Sequence, residues 1–236
     1  LQGSLGTSLR DGRPVATVLG EAIGNTWWLL LASMAFATML AMELAILMVR
    51  RSGRMWRSTL LPSLFLLDSI PLFVLAMLLL VLLANPAFLQ LFPVYGMGYY
   101  NAFGQSWLQQ LSQWLQFMAL PMICLVLANL PYLTNQFYQA VAAVAGQDYI
   151  RTARAKGLSE HRVIRRHMLR NALLPVITLL ADFLPALVAG AVIIETVFAI
   201  PGVGRLLIDA VLARDYPVIV GIVVIVAVFR LLSHLL

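Results

Sequence analysis

The sequence predicts an all-α fold, a polytopic transmembrane helical bundle. Of 236 residues, 61% are hydrophobic and only 11% are charged, whereas a soluble domain carries about 25% charged residues. Mean hydropathy is +0.90, and the apolar residues come in long blocks rather than in alternation, which is the pattern of a chain dissolved in lipid. The loops between the blocks are basic and charge-poor in turn, as successive single crossings require.

A helix crosses the hydrocarbon layer in about 20 residues, and five blocks reach that length. The first is 27–49, interrupted by Glu43. The second is 60–84, with Asp68. The third is 114–133, with Pro121 and Pro131. The fourth is 172–199, with Pro175, Pro185, Asp182 and Glu195. The fifth is 218–236, with Arg230 and His234 near its end.

The loops give the orientation. Arg50, Arg51, Arg54 and Arg57 follow the first block with no acid among them, and residues 85–113 after the second carry no charge. After the third come Arg151, Arg154, Lys156, Arg162, Arg165, Arg166 and Arg170 against Asp148 and Glu160. The positive-inside rule places 50–57 and 148–170 in the cytoplasm and the segment 1–26 outside. Residues 92–107, with Tyr95, Tyr99, Tyr100 and Trp107, read as an external loop at the lipid interface. The chain begins at Leu1 and ends within an apolar run at Leu236, so it reads as a fragment.

Composition narrows the function classes. The net charge of +6 sets membrane orientation and does not point to nucleic acid. Cys124 is the sole cysteine, which excludes an intramolecular disulfide and a cysteine-based metal site. A phosphate-binding loop needs a GK pair before Ser or Thr, and the one lysine, Lys156, follows Ala155. No ATP site of that kind is present, and no cofactor is expected on this chain. HExxH, GxSxG and paired-cysteine motifs are absent. His161 and His167, six apart, read as surface residues.

The basic loop 148–170 carries most information. Tyr149 to Lys156 favours a short helix, and Gly157 suits the left-handed residue that ends one. Ser159 is placed to cap a second helix over 160–170, with Glu160 in its first turn complementing the dipole. Ala153 and Ala155 are small enough to let another protein approach the first helix closely.

The segment DYIRTARAKGLSEHRVIRRHMLRNALLPVIT, from Asp148, resembles the cytoplasmic loop of permease subunits of the dipeptide/oligopeptide/nickel class of ABC importers. GAVIIETVFAIPGVGRLLIDAVLARDYPVI (Gly190–Ile219), LGTSLRDGRPV (Leu5–Val15) and SIPLFVLAMLL (from Ser69) resemble the same family. The segment Leu5–Val15 is similar to the first of the two paired permeases. Of the general loop pattern, Glu-Ala-Ala, three residues, Gly, nine residues, Ile-x-Leu-Pro, Ala153, Gly157 and Leu169 hold.

The resemblance implies a type I ABC importer permease fold, with a sixth span before Leu1. It implies an inner-membrane transport subunit for peptides or a similar small solute, not an enzyme. Its expected partners are a second permease, cytoplasmic ATPase subunits that use the ATP, and an external solute-binding protein. Tyr149, Ala153, Ala155, Lys156, Gly157 and Leu158 then form the candidate coupling element. A charge near the bilayer centre costs about 2.5–3.5 kcal/mol, so Asp182, Asp68 and Glu195 are candidate pathway residues. A secondary transporter or channel using these acids as ion sites is the alternative.

Overall fold

In a computed structural model of the chain, the residues described are 5–50, 54–94, 96, 106–172 and 191–234. The architecture is all-α. Among the described residues the extended pairing is one antiparallel bridge, Thr7 with Pro14. The helices are α1 (Val15–Arg50), α2 (Arg54–Asp68), α3 (Leu72–Ala84), α4 (Trp107–Ala145), α5 (Asp148–Ala155) and α6 (Glu160–Arg162). A π-helical stretch, Val163–Met168, continues α6. Then come α7 (191–197), α8 (Val203–Ala213) and α9 (Tyr216–His234).

Length and hydropathy qualify α1 and α4 to cross a membrane, and the bent pair α2–α3 counts as a third candidate. A shorter apolar helix covers Tyr216–Leu231. Most of the expected fourth block, 173–190, lies outside the described residues and takes Asp182 with it.

Several expected boundaries change. The segment expected to stay external up to residue 26 is already helical from Val15. The block 114–133 sits inside a helix of 39 residues that runs unbroken through Pro121 and Pro131. Both prolines are buried, and membrane helices tolerate proline where neighbours re-satisfy the freed backbone. The single helix expected over 60–84 is two, bent by 97°. Pro71 causes the break: it lacks an N–H and pushes the preceding residue out of the helical region. Ser69 Oγ donates to the Phe65 carbonyl at 2.8 Å and satisfies part of the exposed end. Asp68 is the last residue of α2 and is exposed there.

The chain divides into two compact units. In the unit of Met34–Ile70 and Val126–Phe183, Ala37, Ala41 and Ala45 form a stripe of small residues along α1. Leu64 of α2 and Leu130, Leu133 and Phe137 of α4 pack in the same cluster. Residues four apart share a helix face, and small side chains allow close helix approach. A second cluster joins Ile46 and Val141 to Ile150, Ala153, Val163, Ile164 and Met168. In the other unit, Val15, Leu19 and Ala22 of α1 pack with Val203 and Ala210 of α8 and Val218 and Ile222 of α9. Gly221 permits that contact, because a Cβ there would lie 2.8 Å from Leu19 Cδ1.

The alanine stripe gives a direct test. Ala41 is fully buried, so Ala41→Leu overpacks the α1 face and costs about 1–3 kcal/mol. Thermal unfolding of the detergent-solubilised protein, followed by a thiol-reactive dye that reports exposure of the buried Cys124, will show a lower midpoint.

Candidate functional site

The basic arm is built from its buried side outward. In α5, Ile150 and Ala153 are buried, while Tyr149, Arg151, Thr152, Arg154 and Ala155 are exposed. Ala153 was expected to admit a partner; instead its methyl faces the cluster of Ile46, Val141, Val163, Ile164 and Met168, and it seats the helix. Ala155 is the small residue on the open face.

Gly157 ends α5 with φ +75. Its N–H donates to the Arg154 carbonyl at 2.9 Å, and the Leu158 N–H donates to the Ala153 carbonyl at 3.4 Å. This is a Schellman closure, with Leu158 packed against the buried cluster. Lys156 and Gly157 are exposed at the corner.

An ion pair spans the turn. Arg154 Nη2 and Nε donate to the two carboxylate oxygens of Glu160 at 2.7 and 3.1 Å. The bond from Arg154 holds the Glu160 carboxyl below its usual range. Asp148 and Arg151 sit 3.7 Å apart on α5 itself. The exposed face of α5 and its corner carry Arg151, Arg154 and Lys156 against Asp148, a net positive charge. Tyr149 Oη accepts a bond from Asn171 Nδ2 at 2.7 Å, which ties α5 to the returning helix.

The expected second helix, 160–170, is more complex. Ser159 holds the cap position without a side-chain cap bond; its carbonyl accepts from the Arg162 and Val163 amides instead. The Leu169 N–H reaches back to the Ile164 carbonyl, a five-residue π step. Val163, Ile164 and Met168 are all buried within this stretch. Arg165 reaches Glu43 of α1 at 3.0 Å, so Glu43 is half of an exposed ion pair.

A second polar cluster lies in the other unit. Glu195 of α7 is fully buried. Its Oε2 accepts from the Gly204 and Arg205 amides at 2.7 and 3.0 Å, and its Oε1 accepts from Thr26 Oγ1 at 2.6 Å. Thr26 Oγ1 in turn accepts from the Val203 amide at 2.8 Å. The amides opening α8 are thus satisfied by side chains from α7 and α1, where the helix dipole also favours an anion. Asn25 Nδ2 adds a bond to the Pro201 carbonyl at 2.9 Å. A Cβ on Gly202 would lie 2.3 Å from the carboxyl carbon, and one on Gly204 would lie 2.5 Å from Val192 Cα. Glu195 therefore caps the start of α8 with a buried carboxylate.

The far end of α8 is held similarly. Arg214 ends it at φ 55, with Asp215 N–H bonded to the Ala210 carbonyl at 2.8 Å. Asp215 is buried and accepts from Ser8 Oγ at 2.5 Å and from the Arg10 amide at 3.4 Å. Residues 6–15 form a closed loop, with Ser8 N–H to the Arg13 carbonyl at 2.9 Å and Val15 N–H to the Gly6 carbonyl at 3.0 Å. Burial opposes ionisation of Asp215, but the Ser8 bond and the surrounding amides outweigh it, and its pKa lies below the ordinary value.

Sequence reasoning singled out Glu195 but missed Thr26, Ser8 and Asp215. Asp68 stands apart at the α2–α3 break. Among the described residues, no group of three or more His, Cys, Asp or Glu side chains could hold a metal ion.

Residues 37–236 match the family described as "Binding-protein-dependent transport system inner membrane component". The oligopeptide transport system permease protein AppB of Bacillus subtilis (strain 168) is 35% identical over 240 residues, covering 100% of this chain and 73% of that protein. The glutathione transport system permease protein GsiC of Pectobacterium atrosepticum is 36% identical over 238 residues, with 100% and 72% coverage. The dipeptide transport system permease protein DppB of Escherichia coli (strain K12) is 49% identical over 119 residues, 50% of this chain and 35% of that protein. Among solved structures, the MetNI methionine ABC transporter in inward-facing conformations aligns with TM-score 0.66 at 15% identity, over 92% of this chain and 93% of that one. An amino acid ABC transporter aligns with TM-score 0.63 at 16% identity, over 93% and 90%. At these identities the two structures speak for the fold, a type I ABC importer permease.

Two outcomes follow from the helix ends. Gly204→Ala forces a methyl onto the α7 backbone, where nothing can swing away, and costs about 1–3 kcal/mol; the thiol-dye midpoint will fall accordingly. For Asp215, a folded pKa below the unfolded value of about 3.9 stabilises the fold above that value. That contribution is lost as pH falls through the folded pKa. Midpoints measured from pH 7 down to pH 3 will drop less steeply for Asp215→Asn than for the wild type, from a lower starting point.

Proposed function

The chain belongs to the family of binding-protein-dependent transport system inner membrane components, and on that premise we propose that it carries short peptides across a bacterial inner membrane. It is a multi-pass permease subunit of an ATP-driven importer. The relatives named for oligopeptides, glutathione and dipeptides share short peptide-like solutes, and this supports the substrate class. A solute-binding protein delivers the solute outside, a second permease subunit completes the pathway, and separate ATPase subunits supply the energy.

The observation that carries the coupling role is α5. Its inner face is packed, its outer face is cationic and open, and it is braced at Gly157 by the Arg154–Glu160 pair. A groove of the ATPase takes the face of Thr152, Ala155 and Lys156. When ATP draws the ATPase subunits together, α5 is displaced. Close-packed interiors transmit strain, so Ile150 and Ala153 pass the movement to Ile46 of α1 and Val141 of α4. Gly157 lets the chain turn at low conformational cost, and the short corner behaves as a stiff lever. Asp68, exposed beside the α2–α3 break, is the described pathway candidate for the ammonium group of a peptide. Asp182 lies outside the described residues and stays a candidate from its sequence position alone.

The test places bulk on the open face. In proteoliposomes holding the complete transporter, Thr152→Trp and Ala155→Trp will lower ATP-driven peptide uptake at least tenfold while the amount of permease in the membrane stays constant. Wild-type uptake by both variants contradicts the docking role. Uptake that persists without any ATPase subunit favours a secondary transporter.

A further inference from the structure

Helix α8 is fastened at both ends by buried carboxylates. At its amino end, Glu195 and Thr26 satisfy the amides of Val203, Gly204 and Arg205. At its carboxyl end, Asp215 accepts from Ser8, seven residues before α1 begins at Val15. Between the two ties, Val203 and Ala210 pack with Val15, Leu19 and Ala22. Each tie therefore joins α8 to α1 or to the loop leading into it. Separating α8 from α1 would strand a carboxylate or a set of helix amides without partners, which opposes the separation.

We propose that Glu195 is a positioning residue for transport, holding α8 as a rigid extension of α1 so that the two move together and α8 does not open as an independent flap. The inference rests on the reading of the chain as a transport subunit. Glu195 touches no solute in this role. It acts through Thr26 and the α8 amides, and the glycines at 202 and 204 leave room for its carboxylate to reach them. The device is the acid, Thr26 and the amides they cap, entered through a helix stop at Ala199 with φ 55. Asn25 and Pro201 lie at its rim, within 2.9 Å through Asn25 Nδ2 and the Pro201 carbonyl.

The test uses the complete reconstituted transporter in a Cys124→Ala background, with Asn25→Cys and Pro201→Cys joined by a short thiol–thiol cross-linker. Cross-linked protein is expected to take up peptide within about twofold of the uncross-linked sample. Loss of uptake on cross-linking, restored by cleaving the linker, would show that α8 must part from α1 and would overturn the proposal. In parallel, Glu195→Ala is expected to lower uptake at least tenfold while ATP hydrolysis continues, and Glu195→Gln, which keeps the acceptor oxygen, is expected to restore most of it. Undiminished uptake by Glu195→Ala would also overturn the proposal. ATP-driven uptake by the uncross-linked parent in the same vesicles reads the transport function itself, so failure of that reading is seen separately.

Discussion

A helix that stops must find partners for the amides at its start and the carbonyls at its end. The described structure turns on how this chain meets that demand. Gly157, Ala199 and Arg214 each adopt a positive φ just past a helix, and at each the next amide folds back onto a carbonyl five residues earlier. Ala199 and Arg214 take a conformation that costs a residue with a Cβ about 1–2 kcal/mol. Their surroundings hold them there: Ile200 bonds back to the Glu195 carbonyl, and Asp215 is pinned by Ser8. At the start of α8, side chains from α7 and α1 supply the partners.

The two polar regions use charge in opposite ways. In the basic arm, the ion pairs Arg154–Glu160, Arg165–Glu43 and Arg151–Asp148 are exposed. Exposed pairs contribute about 0–1 kcal/mol each, so the arm is held mainly by Ile150, Ala153, Val163, Ile164 and Met168, and its charges remain available to a partner. Around α8, Glu195 and Asp215 are buried, and Glu195 through both oxygens and Asp215 through Oδ2 accept hydrogen bonds. Removing one partner of such a group is costly, which makes that cluster a fastening. The proposed working parts follow this division: an open cationic face for docking, and a sealed acidic clamp for rigidity.

Much of this was legible in the sequence where the signal was local. Gly157 marked the helix break because glycine is cheap at positive φ, and the structure puts it at +75. Local signals failed where packing decides. Pro71 bends its helix by 97° while Pro121 and Pro131 leave α4 unbroken, and one residue type cannot announce both outcomes. Ala153 looked open to a partner because it is small, yet helix periodicity turns it inward beside Ile150. Glu195 stood out as a charge in an apolar block, but Thr26 is 169 residues away and Ser8 is 207 from Asp215. Contacts over such separations are set by the assembled fold.

The proposed link between energy and transport rests on which face meets the ATPase. The most direct measurement places a photo-reactive amino acid at Ala155, on the open face of α5, and another at Leu9, exposed in the loop before α1. Both are activated in intact membranes containing the complete transporter. An adduct with the ATPase subunit is expected from position 155 and none from position 9. No ATPase adduct at 155, or equal adducts at both, would contradict the proposed link.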